Sequence, residues 1–320
     1  MKGIEVRAQN LLRRAVLLLV IALLPLFAGA TEPPKNPEFV MKDEPTEPLV
    51  PSDIPVRRND VYDLKVRLQQ LGLYKGPIDD VYDETAVSAV KEFQKSYWLT
   101  PNGVVEKATW RALGHGVPRP VAQAELPPPE GEMELVVDTE TLTLTVLVNG
   151  AVWKTYPVAA GKWTDLTPVG EWRIIDKGYK VGGPFGSRWM ALNVPWGNYG
   201  IHGTDRPWSI GSYASAGCVR MFDEDVEELY DLVEIGTKVK IKGYRPSLNF
   251  ERHFGYGSEG PEVVVIQEGL RQFGFDAGLC DGIFGERTQA MAEEMAFVFG
   301  LGPSQSAIRD LITLMGLRGR

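Results

Sequence analysis

The chain has 320 residues, 44% of them hydrophobic, and a formal net charge of −8. That length and composition suit two or three ordinary globular domains. The acidic balance argues against a nucleic-acid partner, since phosphate recognition rests on clustered Lys and Arg.

Residues 1–30 read as a secretory signal peptide. Lys2, Arg7, Arg13 and Arg14 form a basic head, Ala15 to Phe27 is almost wholly apolar, and Ala28-Gly29-Ala30 is a small-residue cleavage site. An uncleaved anchor is the alternative, but Pro25 interrupts the run, which is short of the ~20 residues a span needs. Cleavage would remove four basic residues and one acidic residue, taking the net charge from −8 to −11. Residues 31–58 hold seven prolines among acidic residues and read as a stiff spacer.

Residues 59–114 have the pattern of a small helical unit. Asp60 can cap a helix whose apolar face is Val61, Leu64, Leu68 and Leu71, and Gly72 can stop it. A second helix places Ala86, Ala89, Val90, Phe93 and Tyr97 on one side, and a third carries Trp110 and Leu113. Residues 115–131, rich in proline, read as a second linker.

Residues 132–243 are mostly strand. Leu142, Leu144, Val146 and Val148 alternate with Thr143 and Thr145, and Asn149-Gly150 is a hairpin turn. Asp223 can cap a helix bearing Val226, Leu229, Tyr230 and Val233.

Within this segment His202 and Cys218 stand sixteen positions apart, with Gly203 after the His and Gly217 before the Cys. A thiol needs a base to become the nucleophilic thiolate. A glycine beside it lets a substrate carbonyl approach backbone amides, of Gly217 and Cys218 here, that could hold an oxyanion. These are parts of an acyl-transfer site. With only two cysteines in the chain, a Cys218–Cys280 disulfide is the bland alternative. Ser215 fits either a hydrogen bond within the site or simple loop chemistry. Arg220 could grip a substrate carboxylate or pair with Asp223 or Glu224. Trp208 could form part of a substrate wall, whereas Trp163, Trp172, Trp189 and Trp196 are as readily core. Asp205 and Arg206 read as solvated loop charges. Neither His115 nor His253 has metal-ligand neighbours, so no metal and no cofactor is expected.

Residues 244–259 read as a linker and 260–317 as a second, divergent helical module. LQQLGLYKGPIDDVYDE at 68–84 lines up with LRQFGFDAGLCDGIFGE at 270–286, an offset of 202. Cys280 then takes the place of Ile78, as a small buried apolar residue.

The string IHGTDRPWSIGSYASAGCVRM resembles the signature of the L,D-transpeptidase (YkuD) family, as do TPVG at 167–170 and GGPFGSRWMALN at 182–193. Ala216 stands where some members carry a second His. LQQLG, GPID, AVKEFQ and GVVxxxTW in residues 59–114 resemble a three-helix peptidoglycan-binding domain. The resemblance implies a multidomain α+β chain, its β-rich catalytic domain flanked by small three-helix wall-binding modules. It implies Cys218 as nucleophile, His202 as base and then acid, and the Gly203 carbonyl orienting His202. It implies peptidoglycan as partner, with no obligate protein partner. An exported, wall-associated enzyme would take a tetrapeptide stem onto Cys218, release D-Ala and form 3→3 cross-links, with carbapenems acylating the same thiol. Water or a protein amine as acceptor, or a non-catalytic wall-binding chain, are the alternatives.

Overall fold

The computed structural model describes residues 47–117, 126–127, 129–179, 183–301 and 305–317. The signal peptide expected at 1–30 and most of the two proline-rich linkers lie outside the described residues. What is described is a mixed α+β chain in three packed parts.

The first part is helical. Strand β1 (Val56–Arg57) pairs antiparallel with β2 (Val81–Tyr82) beside α1 (Asn59–Gln70), α2 (Glu84–Ser96) and α3 (Lys107–Gly114). Val61, Leu64, Leu68, Ala86, Val90, Phe93 and Leu113 are all buried in its core, at the 3–4 residue spacing that puts one stripe of each helix inward. Asp83 caps α2 by accepting from the Ala86 amide at 2.8 Å. Two expectations are corrected here. Asp60 does not cap α1: it lies inside the first turn, where its carboxylate takes the Arg58 guanidinium at 2.6 Å. The spacer assigned to 31–58 ends earlier, because Leu49 is buried in this core and bridges Val105 through paired backbone hydrogen bonds. A single apolar residue among prolines is enough to dock that segment.

The second part is a sheet. Strands β3 (Met133–Asp138), β4 (Thr143–Val148) and β5 (Ala151–Pro157) form a meander. Asn149 and Gly150 make its turn, both at positive φ (51° and 80°). A short β6 (Ala160–Gly161) leads to β7 (Gly170–Tyr179), β8 (Arg188–Leu192), β9 (Tyr199–His202), β10 (Tyr213–Ser215) and β11 (Val219–Arg220). Helix α4 (Asp223–Leu232) and strand β12 (Lys238–Lys242) follow. The eight-stranded sheet runs β11-β9-β8-β7-β12-β3-β4-β5, and β6 pairs with β10 apart from it. Val226 and Leu229 of α4 pack into the core formed by Leu144, Trp172, Ile174, Met190, Ile201 and Val219.

The third part comprises α5 (Pro261–Gln272), α6 (Glu286–Val298) and α7 (Gln305–Leu314). The 202-residue offset relates contacts as well as letters. Lys65 donates to Asp79 at 2.7 Å, and its counterpart Gln267 donates to Asp281 at 2.9 Å. Residues 244–259 are not a linker, since Phe250 and Phe254 are buried in this module's core. Cys280 is buried, but in the core of the sheet domain, where its amide donates to Glu171 Oε2 at 3.1 Å. Both cysteines are free thiols.

Candidate active site

Strand pairing sets the segments of His202 and Cys218 side by side. β11 runs parallel to β9 with Val219 opposite Ile201 and Arg220 opposite His202. Val219 and Ile201 point into the core. Alternation then turns His202 and Arg220 to the other face. Cys218 stands immediately before β11. Both functional groups are almost removed from water: His202 is 0% exposed and Cys218 7%.

The imidazole is pinned. His202 Nδ1 lies 2.5 Å from the Gly203 carbonyl oxygen. A carbonyl only accepts, so Nδ1 carries the proton of the neutral ring and Nε2 is the basic nitrogen. Trp189 stacks on the ring at 5.3 Å and 24°, and Phe185 meets it edge-on at 5.1 Å. Trp189 thus belongs to the site, a role that sequence alone leaves indistinguishable from core packing.

Asp223 braces the segment after the His. Instead of capping α4, its Oδ1 accepts from the amides of Ser187 at 3.1 Å and Thr204 at 3.0 Å. A side chain at Gly203 or Gly186 would collide with that oxygen, its Cβ falling 2.1 Å away, so both glycines are required by close approach. Burial pushes the Asp223 carboxyl above its ordinary value, against the pull of those two amides.

The Cys loop closes on Ser215. Gly217 sits at φ 110°, a region side chains rarely adopt, and a Cβ there would strike the Tyr199 ring at 2.7 Å. Ser215 is fully buried, accepts from the Gly217 amide at 3.1 Å and donates to the Cys218 carbonyl at 2.5 Å. Ser215 thus makes its hydrogen bonds within the site's own loop, and the Gly217 amide, expected to hold an oxyanion, is engaged by Ser215 Oγ. The Lys162 amide donates to the Ser215 carbonyl at 3.1 Å. Thr167, of the TPVG string, receives the Gly161 amide at 2.8 Å, which holds β6 against the same loop.

Arg220 and Trp208, expected as substrate contacts, both meet the helical module. Arg220 is 1% exposed, and its Nη1 donates at 2.9 Å to Asp63 on α1 of the helical module. Trp208 is buried among the helical module's apolar residues, stacks with Trp110 at 6.1 Å and donates to the Asp63 carbonyl at 3.2 Å. Arg206, expected in solvent, is 1% exposed and donates to the same Asp63 Oδ2 at 3.1 Å. A cleft of about 400 Å³ remains open on this side, lined by Tyr62, Lys162, Trp163, Trp208, Tyr213 and Ala214 among others.

Residues 132–241 match the YkuD family model, described as the L,D-transpeptidase catalytic domain. Residues 57–113 match the model of a peptidoglycan binding domain. A Bacillus subtilis protein named as an L,D-transpeptidase, YkuD, is 47% identical over 107 residues, which are 33% of this chain and 64% of that protein. A second from the same organism, YqjB, is 34% identical over 137 residues, 38% of this chain and 76% of that protein. The chain thus spans somewhat under two thirds of the length of YkuD. Among solved structures, an L,D-transpeptidase from Mycobacterium smegmatis is 27% identical over 35% of this chain and 59% of that one, with a TM-score of 0.29, too low to bear on the fold.

Proposed function

Because this chain belongs to the L,D-transpeptidase family, we propose that it transfers a peptidoglycan stem peptide through an acyl-enzyme on Cys218. His202 Nε2 takes the thiol proton. The thiolate attacks the carbonyl of the third stem residue, at the L-centre of its diamino acid, and the Cys218 amide receives the developing oxyanion. Collapse expels D-Ala, protonated by His202, and leaves a thioester. The side-chain amine of a second stem attacks that thioester, His202 takes its proton, and a 3→3 cross-link forms as the thiol is regained.

The observation that supports this most is the Gly203 carbonyl on His202 Nδ1. It fixes the tautomer without placing a carboxylate next to the thiolate, whose charge the site must stabilise. The helical module serves to hold the enzyme on the wall, raising the local concentration of acceptor stems. The exported, wall-associated location and the carbapenem sensitivity follow from the same reading.

The test incubates the chain from Thr31 onward with disaccharide-tetrapeptide, beside a Cys218→Ala variant, and weighs the products. A dimer lacking one D-Ala, absent from the variant, is expected. Tripeptide alone would replace the cross-linking reading with a carboxypeptidase, and identical products from both proteins would overturn the nucleophile.

A further inference from the structure

Helix α1 carries a polar stripe that a solvent-facing helix would not bury. Asp60, Asp63 and Arg67 follow one another at spacings of three and four, on one side of the helix, and are 1%, 2% and 8% exposed. The stripe meets the loop between His202 and Cys218. Asp63 Oδ2 takes Arg206 Nη1 at 3.1 Å and Arg220 Nη1 at 2.9 Å, and the Asp63 carbonyl takes Trp208 Nε1 at 3.2 Å. The Arg206 guanidinium lies 4.5 Å over the Trp110 ring, and Arg67 lies 5.8 Å over Trp208. A buried carboxylate shared by two guanidinium groups is costly to break, because any one member left alone is an uncompensated charge in a dry site. Arg220 is opposite His202 in the strand register and two residues from Cys218.

We propose that Asp63, on the wall-binding module, is a positioning residue of the transferase site, holding Arg206 and Arg220 so that the Cys218 loop is set against His202 only while the module is docked. The module is then part of the catalytic machinery as well as a tether. The inference rests on Cys218 being the nucleophile, but its test needs no wall substrate.

The test is the rate of Cys218 alkylation by iodoacetamide as a function of pH, read by peptide mass spectrometry on the chain from Thr31 onward. Cys280 does not interfere, since burial pushes its thiol up to about 11. Titratable and charged residues against the Cys218 strand and loop include His202, Tyr199, Asp165, Lys162, Arg220, Arg206 and Asp63. Asp63→Asn keeps the volume of the side chain. By charge alone, removing a carboxylate would favour the thiolate and move the profile to lower pH. Loss of positioning does the reverse. The expected result is a midpoint raised by about half a unit or more, with alkylation at pH 7 slowed several-fold. Asn59→Ala, which removes only the exposed Lys162–Asn59 contact between the same two parts, should leave the profile unchanged. An unchanged or lowered midpoint in folded Asp63→Asn overturns the proposal. If that variant does not fold, Asp63→Glu carries the test: a carboxylate displaced by one methylene should still slow alkylation, and a wild-type profile would overturn it. Absence of cross-linking by the wild-type chain, with its Cys218 alkylated normally, would fault the acyl-transfer reading instead.

Discussion

At the scale of single residues, Asp223 decides how His202 is presented. Removing its carboxylate by Asp223→Ala strands two buried amides, each worth about 1–3 kcal/mol. A stability loss of about 2–6 kcal/mol in urea melts, with a fall in activity, is expected. Asp223→Asn keeps an acceptor oxygen and should cost far less. Its pH dependence follows from the raised pKa of Asp223. A carboxyl whose folded value lies above its unfolded one contributes stability in full below the ordinary carboxylate range, and that contribution is lost as pH rises through the folded value. The Asn variant has no such loss. Its stability relative to wild type should therefore improve as pH rises above the ordinary carboxylate range, near pH 4, and a gap that widened against it would contradict the assignment. Cys280 behaves oppositely to Cys218: Cys280→Ala should cost about 1–2 kcal/mol as a small core truncation and leave acyl transfer intact, as thermal melts and product assays would show.

At the scale of elements, the site is a crossing of short strands and one strained turn. Gly217→Ala would impose a side chain at φ 110° and press it on Tyr199. A loss of about 1–3 kcal/mol is expected, and because the same turn carries Cys218, activity should fall by about tenfold or more. Normal acylation in that variant would show that the turn conformation is unimportant. The elements differ in how much of them the sequence discloses. The Asn149-Gly150 hairpin and the helical stripes are local patterns, and local patterns are legible. The motif that bears His202, Gly203 and Cys218 spans seventeen residues, so it too is a local pattern. The Asp63 contacts of Arg220 and Trp208 are not legible, because Asp63 lies 157 and 145 positions upstream of them. No spacing rule links such residues. Asp60 and Asp223 sit at helix starts and satisfy the sequence rule for caps, yet nearer partners claim their carboxylates: a guanidinium for Asp60, two loop amides for Asp223.

At the scale of the whole molecule, the three parts are packed more tightly than their proline-rich borders suggest. Leu49, Phe250 and Phe254 are isolated apolar residues in polar or proline-rich stretches, and periodicity cannot register a single anchor. Glu171 ties the third part to the sheet, through Arg271 at 2.6 Å and the Cys280 amide. Asp63 ties the first part to the Cys loop. Residues 132–243 expressed alone should therefore melt about 10 °C or more below the full chain, since the Arg206–Asp63–Arg220 cluster and the Trp208–Trp110 stack would both be broken. Equal melting temperatures would mean the parts are independent.

The most direct test of the central claim is the intact mass of the protein quenched with acid seconds after mixing with disaccharide-tetrapeptide. A thioester adduct equal to the stem minus D-Ala, mapped to the peptide bearing Cys218 and missing from both Cys218→Ala and His202→Ala, is the predicted result. An adduct on another residue, or full acylation in the His202→Ala protein, would contradict the account.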